Sequence, residues 1–210
     1  MTVQLNHSFR LSGHRDAISG ISFNPSGTKL ASASLDGLIN IWSVTTGLPL
    51  HEPLQRPFSF TSIAWIDDYI LVAGVNCGGV LLIKSGQKSL DCHFYRIHSC
   101  AIEYIVPRPG KLATADKSEI CVSSFGNFRT SLRQNLDLLA LLPSPPIQVV
   151  KGSEKDVVVT SLHWAASWGS DALIATYFYH GIVYVHSFPV QVVQARIHPE
   201  PDALYSVSGM

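Results

Sequence analysis

Residues 12–47, SGHRDAISGISFNPSGTKLASASLDGLINIWSVTTG, constrain the fold more than any other stretch of this chain. Three short runs, 17–23, 30–34 and 38–42, alternate apolar with polar or small residues. Successive strand side chains point to opposite faces, so a period of two predicts strands with a buried face. Turn formers separate the runs: Asn24-Pro25-Ser26-Gly27 after the first, Asp36-Gly37 after the second, Thr45-Thr46-Gly47 after the third. Asp-Gly suits a tight hairpin because glycine reaches positive φ without steric cost. Runs joined by such short links pair antiparallel with their neighbours, which predicts a meander.

The pattern returns along the chain. A second unit places strands at 60–65, 69–75, 80–84 and 89–96, with turns at Asp67-Asp68 and Asn76-Cys77-Gly78-Gly79. A third opens at His98 and continues through 101–106, a turn at 107–110, then 112–116 and 120–125. A fourth runs through 157–164 and 173–179; residues 179–187 then lie over 35–43 without a gap, and 190–197 supplies an outer strand. The first two units begin about 43 residues apart, within the period of about 40–45 residues expected of four-stranded repeats. One domain over 1–210 follows, with repeats at 12–57, 58–97, 98–156 and 157–197. Two segments break the rhythm. Pro49, Pro53 and Pro57 make 48–57 an outer edge strand or a loop, since proline cannot donate to a ladder. In 129–156 a leucine cluster (Leu136, Leu138, Leu139, Leu141, Leu142) stops at Pro143, and a run this short reads equally as a turn of helix or an outer strand.

Gly13-His14, Asp36 and Trp42 in these positions resemble a WD repeat, the building unit of a β-propeller family. The resemblance implies an all-β propeller arc of about four four-stranded antiparallel blades, part of a larger ring of typically about seven. It also implies that His14, Ser32 or Ser34, Asp36 and Trp42 form a structural hydrogen-bonded relay. Ser43 stands where the signature aspartate usually follows the tryptophan. In the second repeat Cys77 and Ile83 occupy the stations of Asp36 and Trp42; in the fourth, His180 and His186 do. His98 matches His14, while Asp116 lies two residues before the relay station. Residues 2–11 would close a ring as the outer strand of the last blade. A buried aspartate needs donors, and an imidazole N–H, a hydroxyl and turn amides can supply them.

By the same resemblance the function is a scaffold that docks protein or peptide partners on its rims, with no chemistry and no cofactor. Two alternatives stand beside it: a truncated, nonfunctional product of a longer protein, and a propeller enzyme with polar groups converging on the central channel. The open ends of an arc would also favour self-association. Fifteen basic residues balance fifteen acidic ones, leaving no electrostatic footprint for nucleic acid or an anionic membrane. Residues 1–13 lack the apolar core of a signal peptide and no run is long enough to span a bilayer. With four cysteines and no C-x-x-C spacing, the chain reads as a cytoplasmic or nuclear protein with reduced thiols. Cys92, His93, His98 and Cys100 are the one group with soft-ligand character, but adjacent strand residues face opposite ways, and no metal site is expected there.

Overall fold

The computed structural model describes residues 9–86, 90–126, 136–142, 158–165, 171–178, 183–188 and 192–197. Their strands form four antiparallel sheets, each of four consecutive strands. Blade one contains β1 (Ile18–Phe23), β2 (Lys29–Ser34), β3 (Leu38–Ser43) and β4 (Leu54–Gln55); blade two β5 (Phe60–Trp65), β6 (Ile70–Val75), β7 (Gly79–Ser85) and β8 (Leu90–Arg96). Blade three contains β9 (Tyr104–Arg108), β10 (Lys111–Ala115), β11 (Ile120–Phe125) and β12 (Leu136–Leu142); blade four β13 (Val158–Ala165), β14 (Asp171–Phe178), β15 (Val183–Phe188) and β16 (Val192–Ile197). The strand expected within 2–11 lies largely outside the described residues, as do His180 and the side chain of His186. No described helix is long and apolar enough to cross a membrane.

Two segments left open by the sequence resolve as outer strands, and one strand, β9, differs from expectation. The outer strand of blade one shrinks to two residues, and Pro49 adds only an isolated bridge to Trp42. The leucine cluster resolves as strand β12, with Leu138, Leu139 and Leu141 all exposed on this outer edge. β9 starts at Tyr104 instead of 101 and runs through Pro107, which pairs with Leu112. An edge strand tolerates proline because one side of its ladder carries no partner.

Blade stacking buries the faces that single sheets leave open. Ala31, Ala33, Ile39 and Ile41 of blade one pack against Leu71, Ala73, Leu81 and Ile83 of blade two. The other face of blade two, Ile70, Val72, Val80 and Leu82, meets Ile102 and Leu112. Every residue of β6 is therefore buried, which accounts for its unbroken apolar sequence ILVAGV. Ala113, Ala115, Ile120 and Val122 of blade three continue the stack onto Val159, Leu162 and Leu173 of blade four.

The inner strands β1, β5, β9 and β13 contact one another in series. A register shift falls at the same place in three of them, between Ile18 and Gly20, Phe60 and Ser62, and Val159 and Ser161. The extra residue of a bulge leaves the ladder and re-aims its side chain. Here Ser19 Oγ donates to the Phe60 carbonyl at 2.7 Å and Thr61 Oγ1 to the Ile102 carbonyl at 2.6 Å, each reaching the next blade. Tryptophans bond in the reverse direction: Trp65 Nε1 donates to Ser22 O at 3.0 Å and Trp164 Nε1 to Val106 O at 2.9 Å.

Gly78, at φ 85°, turns from β6 into β7 directly under the loop that begins blade three. A Cβ there would overlap the His98 carbonyl and lie 2.9 Å from the Cys100 carbonyl oxygen. Gly110 has a similar φ of 73° but open space around it. Gly110→Ala should cost about 1–2 kcal/mol, the penalty of a left-handed alanine. Gly78→Ala should cost about 1–3 kcal/mol more through the backbone overlap. Urea denaturation of both variants measures the difference; equal midpoints would show that the close approach is not a constraint.

Candidate functional site

The polar residues of blade one converge because the β2–β3 hairpin places Leu30 opposite Trp42 and Ser32 opposite Asn40. His14 enters from the loop ahead of β1, and Asp36 from the turn between β2 and β3. Trp42 Nε1 donates to Ser32 Oγ at 3.0 Å, and the same oxygen lies 2.8 Å from His14 Nε2. Asn40 Nδ2 sits 3.2 Å from Nε2 as well. An indole N–H can only donate, so the Ser32 oxygen accepts from Trp42; the Asn40 amide nitrogen is also a donor only, which makes His14 Nε2 the acceptor in its contacts. The network therefore assigns the ring proton to Nδ1, which lies 3.4 Å from Asp36 Oδ2 and makes no aligned hydrogen bond. Ser34 is turned elsewhere: its Oγ donates to Asp16 O at 3.2 Å and accepts from Asp36 N at 3.2 Å.

Asp36 binds backbone more closely than it binds imidazole. Oδ2 accepts the Arg15 N–H at 2.7 Å and Oδ1 the Leu38 N–H at 2.8 Å. Burial pushes its carboxyl pKa up, but these two amides, the adjacent Ser34 hydroxyl and His14 outweigh that and hold it below the usual 3.8. The carboxylate thus ties the incoming loop to the hairpin turn. Asn40 is the member that residue patterns missed. A polar residue at an inward station of a strand that also buries Ile39 and Ile41 is the signal that could have revealed it.

Blade three builds a related cluster from different residues. His98 Nε2 lies 2.9 Å from Thr114 Oγ1, at the station of Ser32. Its Nδ1 faces Asp116 Oδ2 at 3.6 Å and Cys121 Sγ at 3.9 Å. Asp116 Oδ1 accepts from the Ser118 and Glu119 amides at 2.9 and 2.8 Å. Burial lowers the His98 pKa against the pull of the Asp116 and Glu119 carboxylates. Burial, Glu119 and Asp116 together push the Cys121 thiol up to about 12. Asp116 thus reaches the histidine although it lies two residues before the Asp36 station, because its turn is one residue shorter. In blade two, Ala73 occupies the Ser32 station and the site is apolar.

The Cys92, His93, His98 and Cys100 group does not assemble this way. His93 packs edge-on against Tyr95, Cys100 is exposed, and His98 turns to Thr114 and Asp116. All four cysteines are free. At the turn ends of blades one and two, Leu35, Asp36, Arg56, Phe58 and Asn76 line a polar concavity on the rim.

Stacked four-stranded meanders with inner strands in series define a β-propeller. The family model for the WD domain, G-beta repeat, matches residues 5–43. The chain is 40% identical over 78 residues, 37% of its length, to the Periodic tryptophan protein 2 homolog of Schizosaccharomyces pombe. It is 38% identical over 64 residues, 30% of its length, to the homolog of Neurospora crassa. These matches span only 9% and 7% of the two relatives. In structure it resembles the β-propeller domain of Myceliophteria thermophila Cps50 (Swd1), with a TM-score of 0.54 and 11% identity, over 92% of this chain and 77% of that one. The first repeat of the chain thus matches a WD repeat, and the fold is that of a β-propeller.

Asp36→Ala removes the acceptor for two turn amides and should destabilise the chain by about 1–3 kcal/mol. Because the folded pKa lies below 3.8, the contribution of Asp36 is complete above that value and is lost as pH falls through the folded one. Urea midpoints measured across the acid range should therefore converge for the parent and Asp36→Ala at low pH. A constant difference would mean that the carboxylate charge plays no part.

Proposed function

We propose that this chain is an interaction scaffold that binds a protein or peptide partner at the turn-side rim of its first two blades. The observation that carries this reading is the coupling of relay and rim. Asp36 lines the rim concavity, and its carboxylate is held by the Arg15 and Leu38 amides. The rim is thus presented on a turn whose geometry is locked, which lowers the ordering cost of binding. Beside it stand the 42% exposed Leu35 and the exposed Asn76, with Arg56 as a charged donor.

We infer no catalytic role for the Ser32, His14 and Asp36 constellation, although its order resembles a hydrolase triad. Ser32 is 5% exposed and accepts the Trp42 indole proton, so its hydroxyl has no room for an incoming carbonyl. The balance of fifteen basic and fifteen acidic residues argues against nucleic-acid or anionic-membrane binding, and the free cysteines suit the cytoplasm or nucleus. Peptide-display selection against the purified chain tests the rim. Selected peptides should lose at least tenfold in affinity for Leu35→Arg/Asn76→Arg, a surface double variant with an unchanged melting temperature. Equal affinity would place docking elsewhere.

Ile18, Ile21 and Phe23 favour a second mode of association. They are 57%, 63% and 57% exposed on the β1 face turned away from blade two. An apolar strand face of this kind pairs readily with another copy. Light scattering should show a mass above 22.9 kDa for the parent chain, falling to that of the monomer in Ile21→Lys/Phe23→Lys. A monomeric parent would remove this mode.

A further inference from the structure

We infer that the open pocket between blades one and two, at the end of the sheets opposite Asp36, binds a partner peptide through an anionic side chain set beside an aromatic or aliphatic one. Lys29, Leu50, His51, Tyr69, Lys84 and Ser85 line this pocket of about 410 Å³. Lys29 opens β2, while Lys84 and Ser85 close β7, so the pocket is separate from the turn-side concavity of Leu35 and Asp36. Cross-strand bonds fix its wall. Ser85 N donates to Tyr69 O at 2.8 Å, and His51 Nε2 lies 3.0 Å from the buried Ser85 Oγ.

Two ammonium groups and no carboxylate stand among the described lining residues. An ammonium carries three donors, and Lys29 Nζ gives one of them to Asp68 O at 3.1 Å while lying 5.3 Å from the Tyr69 ring centre. Burial and the charge of Lys29 lower the His51 pKa, so at pH 7 this imidazole offers a hydrogen bond and no third charge. The neighbouring carboxylates serve the turns: Asp67 Oδ1 accepts the Tyr69 and Ile70 amides, and Asp68 Oδ1 accepts from Ser26 N and Asn24 Nδ2. Asp91 stands opposite Lys84 in the β7–β8 ladder without lining the pocket. An anion entering here meets both lysines in surroundings less screened than bulk water.

The junction of blades three and four shows how much of this a structural role explains. Lys29 Nζ lies 5.7 Å from the Trp65 ring centre and Arg108 Cζ 5.7 Å from that of Trp164, each tryptophan bonding back to the preceding blade. Covering that indole accounts for Lys29 alone. It leaves Leu50 and Tyr69, 41% and 51% exposed, on the same pocket as a second cation. Apolar side chains left in water beside two lysines match a peptide that carries an apolar and an acidic residue together. A pocket open at the rim does not cover the roughly 70–90% of surface that small-ligand sites bury, whereas a pair of peptide side chains needs no such enclosure. Fifteen basic residues against fifteen acidic ones provide no cationic track along which a nucleic acid would continue.

The test titrates the full chain against fluorescein-labelled peptides of Gly/Ser background that carry Phe beside Glu, phosphoserine, Gln or Lys, read by anisotropy. The better of the Glu and phosphoserine peptides should bind about tenfold more tightly than the Gln peptide, and the Lys peptide more weakly still. Which of the two anionic peptides leads tells a constitutively acidic partner from a phosphorylated one. Lys29→Gln/Lys84→Gln should weaken that peptide about tenfold. Leu35→Arg/Asn76→Arg at the opposite rim should leave it unchanged, which keeps this result distinct from docking there. Should the lysine double variant fail to fold, Lys84→Gln decides alone, with an expected loss of about threefold. Equal affinity for the Glu, phosphoserine and Gln peptides, no loss in the lysine variants, or binding of an oligo(dT) strand in place of the peptides overturns the site.

Discussion

A four-stranded sheet cannot bury both its faces by itself, and the rest of this structure follows from that limit. Blade two shows the solution in full. Leu71, Ala73 and Ile83 are covered by blade one, while Ile70, Val72 and Val80 are covered by Ile102 and Leu112 ahead of and within blade three. Apolar burial contributes roughly 25 cal/mol per Å², so covering both faces stabilises the blade from each side. Where no described neighbour covers the face, as with Ile21 and Phe23 of blade one, apolar side chains remain exposed. Stacking, not any single bond, is the organising interaction.

Polar groups fix the register that stacking leaves loose. Apolar faces slide, whereas a hydroxyl bonded to a carbonyl in the next blade does not. Ser19 and Thr61 leave their ladders at bulges and make that bond, and Trp65 and Trp164 bond backwards to the preceding inner strand. Within blades, the His14 and His98 clusters tie the incoming loop to the central hairpin. Blade two has no such cluster and relies on apolar packing, with His98 N donating to Gly78 O to hold its turn under the next loop.

Much of the architecture was legible in the residue pattern because strand periodicity is local. The three alternating runs of 17–42 and their turn formers specify a meander without reference to anything distant. The leucine cluster at 136–142 was not decidable, since helix and strand both accommodate a short apolar run; pairing with β11 decides for strand. The first strand of blade three was misplaced because Pro107 reads as a turn, and only its position on an inner edge makes it compatible with a ladder.

By itself, the sequence determined the all-β class, the phase of the repeats and the polar residues available to blade one. Each depends on spacing of two, three or four residues along the backbone, and spacing survives without a fold. Tertiary structure alone decided that Ser32, not Ser34, meets His14 and Trp42, that Asn40 joins them, and that Asp116 reaches His98 from an earlier station. It also brought Cys121 to His98 in place of the cysteines nearer in sequence. Those choices depend on which face a side chain takes and which strand lies opposite, and cross-strand register is set only when the sheets pack.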